Sequence, residues 1–220
     1  MSLLRRKPRP LIRDTDSLRD DRLFILACDD TYAPKQYFDF FRIPRVKIHV
    51  VPTADGTSAA QYVLDRILEF EFEADDERWM VLDTDHCATG THLRSFLSAI
   101  AEARRQGVNI ALSKPSFELW LLLHHVAENA VISLADAKAV EQLLRSTIGQ
   151  YNKAKLRKQD YPLSLVVDAC ERAARLDVGV GGGEIPPANT TRVYLLWRAI
   201  ASRALPTQLP PELRALVPGQ

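Results

Sequence analysis

At 220 residues, 46% hydrophobic and 26% charged, the chain carries enough apolar material for one substantial core, which excludes wholesale disorder. With 29 basic against 28 acidic side chains the net charge is +1, so long-range attraction alone does not bring it onto nucleic acid or an anionic membrane; such binding needs local patches. The cysteines, Cys28, Cys87 and Cys170, are odd in number and lack CxxC spacing, which argues for a reducing, cytoplasmic setting, and no apolar run nears the roughly 18 residues of a membrane span.

Residues 1–20 are basic and proline-bearing, with Arg5, Arg6, Lys7, Arg9 and Arg13, and read as a flexible arm. An α/β core is expected over 21–130, a helical extension packed on it over 131–205, and a loose tail over 206–220. Leu23 to Cys28 is apolar throughout and stops at Asp29 and Asp30, as a buried strand would. Pro34 to Phe41 reads as a helix with proline in its first turn and rings at Tyr37, Phe38, Phe40 and Phe41 for the core. Val46 to Val51 is the next strand and Pro52 to Thr57 a turn. Ser58 to Phe72 places Tyr62, Val63, Ile67, Leu68 and Phe70 at helical spacing, and the acidic run from Glu69 to Glu77 follows as a loop.

Trp79 to Leu82 is a second buried run, ending in Asp83 and Asp85 around Thr84. A turn containing Gly90, a helix from Thr91 to about Gln106 closed by Gly107, and a strand from Val108 to Leu112 come next. Strands alternating with helices over short connections predict a mainly parallel central sheet flanked by helices. In the segment SKPSFELWLLLHH, Ser113 to His125, the apolar part with Phe117, Trp120, Leu121 and Leu123 reads as a largely buried helix, with Glu118 inside it. A helix from Ser133 to Thr147 with Ser133 as N-cap, a basic loop from Tyr151 to Lys158 and a helix from Pro162 to Leu176 follow. Val178 to Gly183 is glycine-rich without the Lys-Ser/Thr of a phosphate loop and reads as a linker, before a last helix over Asn189 to Ala204 started by Asn189, Thr190 or Thr191.

In extended chain residues i and i+2 share a side, so Asp83 and Asp85 can face one hard cation while Thr84 points away; the pair could equally cap the helix near Thr91 or solvate a turn. In a parallel sheet, Asp29 or Asp30 lies at the same edge as Asp83 and Asp85. Such carboxylates repel one another unless a divalent cation or a shared proton neutralises them, and Mg²⁺ or Mn²⁺ bound there suits phosphodiester hydrolysis or transfer. Glu118 on a buried helix needs a partner, which is Lys114 four residues earlier or a site. Lys114, His124, Lys153 and Arg192 are the candidates for contacting substrate.

Four stretches resemble the RloB-like proteins, which carry a TOPRIM-like domain and are associated with phage-defence and abortive-infection systems. They are ILACDDTYAPKQYF from Ile25, VLDTDH from Val81, SKPSFELWLLLHH from Ser113 and ANTTRVYLLWRAI from Ala188, together spanning about residues 20–204. The resemblance implies a TOPRIM-like fold with a C-terminal helical extension and a metal-dependent nuclease. It gives Asp29, Asp83 and Asp85 as metal ligands, Asp29 as general acid/base, and Glu118 a polar catalytic role in the pocket. Nucleic acid, DNA or RNA, an ATPase partner protein and a second copy of the chain are the expected partners, with no membrane. Asp29 and Asp30 stand where the family has glutamate and glycine, and Pro34 where it has a second glutamate. Aspartate keeps the charge with a shorter reach, and losing glycine restricts the turn. A non-catalytic binding or regulatory subunit is the alternative this departure raises.

Overall fold

The computed structural model describes residues 22–30, 32–52, 59–85, 92–181 and 183–217. The basic arm, the Pro52–Thr57 turn beyond Pro52 and the Gly90 turn lie outside them. Five strands and seven α-helices are present among the described residues: β1 (Arg22–Cys28), α1 (Ala33–Asp39), β2 (Val46–Val50), α2 (Ala60–Glu69), β3 (Glu77–Asp83), α3 (His92–Arg105), β4 (Asn109–Lys114), α4 (Glu118–Leu122), α5 (Ala137–Ile148), α6 (Ser164–Gly179), β5 (Thr190–Thr191) and α7 (Val193–Arg203). They form an α/β fold around one sheet of order β2-β1-β3-β4-β5, in which β1 to β4 run parallel and β5 is antiparallel to β4.

The period of two in the strands sorts their side chains into two cores. Phe24, Leu26 and Cys28 of β1 join Trp79, Val81 and Ala111 on one face, beneath α1, α4, α6 and α7. Leu23, Ile25 and Ala27 join Met80, Leu82 and Leu112 on the other, beneath α2 and α3. Burial on both faces explains why β1 and β3 read as unbroken apolar runs.

Four expectations are corrected. Thr190 and Thr191 do not start the last helix; they pair with Lys114 and Ser113 as a fifth strand, and the buried Ser113 and Thr191 hydroxyls bond across the pair at 2.8 Å. A two-residue strand has no periodicity to read. The helix expected from Ser133 begins at Ala137, capped by Asp136, whose carboxylate accepts the Ala139 N–H at 2.8 Å. The helix expected to stop at Leu176 runs to Gly179, taking in the first two residues of the supposed linker. The segment expected as loose tail contains a 3₁₀ turn over Pro211–Leu216 that buries Leu213 and Leu216 with Leu209 in the larger core, because these leucines are spaced to present one face.

Candidate functional site

The first connection carries the chain from β1 outward to β2, and the return passes back across β1 to β3, so the strand order reverses between β1 and β3. A parallel sheet opens a crevice beyond the carboxyl ends of its strands at such a reversal. Asp29 follows β1 directly and Asp83 ends β3. The Asp83 N–H donates to Asp29 Oδ2 at 2.6 Å and the Asp30 N–H to Asp29 Oδ1 at 2.8 Å, so the two strand ends are stitched together through the Asp29 carboxylate. The turn beyond β3 is tied to β4 in turn: Thr84 N–H reaches the Ser113 and Pro115 carbonyls, and Asp85 N–H the Pro115 carbonyl at 3.1 Å. Thr84 is thereby buried and Asp85 faces solvent at the rim.

Electrostatics follow from this crowding. Burial, reinforced by the charges of Asp30 and Asp85, pushes the Asp29 carboxyl up to about 7 against the two N–H donors that favour its ionised form. Burial, then the charges of Asp29, Glu118 and Asp85, pushes Asp83 well above the carboxylate range, opposed by a backbone bond from Phe117. Asp83 Oδ1 is buried with no hydrogen-bond partner among the described residues. Among the described residues no three His, Cys, Asp or Glu side chains stand arranged as a ready-made metal-ligand group.

Glu118 is buried and accepts the Tyr151 O–H at 2.7 Å; it does not pair with Lys114. Lys114 Nζ instead donates to the Pro186 and Pro187 carbonyls at 2.9 and 3.0 Å. Arg192 follows β5, two strands removed from β3 and Asp83, and its Nε is held by Asp177 at 3.0 Å. His124 lies in the aromatic core, where Nδ1–H donates to the Trp120 carbonyl and Nε2 accepts the Tyr37 O–H, both at 3.0 Å; burial holds its pKa down at about 3, so the ring is neutral. Of the four candidate substrate contacts, Lys153 is the one brought to the carboxylates. Its Nζ lies 3.2 Å from Asp30 Oδ2, and although burial works to discharge it, Asp30, Glu118 and Asp83 hold its pKa above the usual value.

Three contributors escaped sequence reasoning. Tyr151, 33 residues from Glu118, supplies its hydrogen bond. Gln36 on α1 donates to the Lys153 carbonyl at 2.9 Å and accepts the Leu156 N–H at 3.0 Å, docking the basic loop on the rim. Arg66 of α2 donates to the Cys28 carbonyl at 2.8 Å, placing a guanidinium at the end of β1. None has a local sequence signal, since each pairing joins segments remote in the chain.

Compared with protein families, residues 24–200 match the model described as RloB-like protein. No curated protein and no solved structure matches the chain.

Proposed function

Since the chain belongs to the RloB-like protein family, we propose that it is a metal-dependent, nuclease-like effector of anti-phage defence that hydrolyses phosphodiester bonds in DNA or RNA on a TOPRIM-like sheet. The observation that carries the proposal is the 2.6 Å bond from Asp83 N–H to Asp29 Oδ2, which holds the two aspartate-bearing strand ends together at the reversal of strand order. A buried oxygen without a hydrogen-bond partner among the described residues, Asp83 Oδ1, fits a cation ligand, which would offset the cost of burying it. Asp83 and Asp85 would hold Mg²⁺ or Mn²⁺, which supplies Lewis-acid stabilisation of charge on the phosphate. Asp29 accepts two N–H bonds, yet each carboxylate oxygen has a second lone pair, so it can take a proton from an attacking water. Lys153 contributes a positive charge for substrate phosphate, and Tyr151 fixes Glu118 beside it.

The test is cleavage of labelled DNA and RNA with Mg²⁺ or Mn²⁺ by the full chain and by Asp83→Ala and Asp85→Ala. Activity is expected to disappear in both while the melting transition persists, and undiminished cleavage by the double variant overturns the proposal. A second reading, a non-catalytic binding or regulatory subunit working with an ATPase partner, draws on the two backbone bonds that already engage Asp29 and on the missing three-ligand group among the described residues. It requires metal-independent partner binding and no turnover.

A further inference from the structure

Tyr32 is 55% exposed at the start of α1, whereas Tyr37 and Phe38 one turn on are fully buried. A single exposed ring is ordinary. Its surroundings are not, because two independent links tie the Tyr32 backbone to the Lys153 segment at the carboxylate rim. Gln36 Nε2 donates to the Tyr32 carbonyl at 3.1 Å and to the Lys153 carbonyl at 2.9 Å, and its Oε1 is used by Leu156, so this amide is fully engaged in holding loop against helix. Asp30 makes the second link: Oδ1 accepts the Tyr32 N–H at 2.9 Å, and Oδ2 lies 3.2 Å from Lys153 Nζ. A solvated aromatic ring and a half-exposed ammonium are therefore carried by segments joined through Asp30 and Gln36, with Tyr32 three residues beyond Asp29.

We infer that Tyr32 is a stacking platform for an unpaired nucleobase, with Lys153 receiving the adjacent phosphate, so that the rim selects single-stranded nucleic acid. Stacking needs a free base face, which a duplex hides between neighbouring pairs and a single strand offers. The ammonium supplies charge without reading base identity, so affinity is expected to tolerate sequence. This deepens the nuclease reading and rests on it for the position of the scissile phosphate, but binding can be measured without cleavage.

The experiment uses the full chain in EDTA with fluorescein-labelled oligothymidylate, oligouridylate and a blunt duplex, followed by anisotropy. Wild type is expected to bind the single strands more tightly than the duplex. Tyr32→Leu, which keeps apolar bulk and removes the π face, should weaken single-strand binding roughly ten- to a hundred-fold, while Tyr32→Trp retains it. Lys153→Ala should reduce the slope of log affinity against log salt by about 0.7. The inference is overturned if wild type binds neither oligonucleotide, if duplex binds as tightly, or if Tyr32→Leu equals wild type. Single-strand binding with this variant pattern but no cleavage under any metal sinks the nuclease reading alone; duplex cleavage without single-strand binding sinks this inference alone.

Discussion

Replacing Asp83 by asparagine separates the cost of the carboxylate rim from its use. Asp83 has one oxygen buried without a partner among the described residues, and burial with three neighbouring acids raises its pKa, so in the absence of cations its charge is a burden on the fold. A carboxyl whose folded pKa is raised gives stability that is complete below its unfolded value and lost as pH rises through the folded one. For its neighbour Asp29 the displacement from 3.8 to about 7 corresponds to about 4 kcal/mol between acid and neutral pH. Asp83 is raised in the same direction, and a buried charged acceptor left without a donor costs about 1–3 kcal/mol, so neutralising it is expected to return about 2 kcal/mol at neutral pH. In a chain of this size that is about 4–8 °C in Tm. The assay is thermal unfolding of wild type and Asp83→Asn in EDTA at pH 3 and pH 8, then at pH 8 with Mg²⁺ or Mn²⁺. At pH 3, below the unfolded carboxyl value of 3.8, the two should melt nearly alike; at pH 8 the variant should melt higher, and only wild type should gain from the metal. A variant that melts at or below wild type at pH 8 in EDTA would refute the reasoning, because the charge would then not be the burden its surroundings imply.

Tyr151→Phe leaves the buried Glu118 without its O–H donor and should cost about 1–3 kcal/mol, read as a lower midpoint in urea; an unchanged midpoint would mean the bond at 2.7 Å contributes nothing. His124, held neutral with its pKa near 3, gives stability that is present above 6.5 and lost as pH falls toward 3, at most about 5 kcal/mol; a His124→Gln variant should unfold less steeply between pH 6 and pH 4 than wild type, and parallel profiles would count against it. Thr191→Val removes the hydroxyl that meets Ser113 across β4 and β5 and should cost about 1 kcal/mol in unfolding free energy, with faster hydrogen exchange at the Arg192 amide, which donates to the Leu112 carbonyl at 2.8 Å; exchange as slow as in wild type would show the edge strand does not depend on it.

The amino-acid sequence by itself determined the parallel core: runs such as Phe24 to Cys28 and Trp79 to Leu82 are apolar on both pleat faces, which leaves a strand sandwiched between helix layers as their one stable home, and the aspartates mark where each run leaves the core. Helix ends were legible to within a turn except where a better cap, Asp136, competed with Ser133. Which strands are neighbours, and hence that Asp29 meets Asp83, was decided only by tertiary structure, because strand order depends on how two crossovers pack and no local pattern encodes it. The same holds for the partners of the charged groups. Glu118 lies four residues from Lys114 yet bonds Tyr151, and Lys153 reaches Asp30 across more than a hundred residues, since buried ions take whichever donor the packed helices bring within reach.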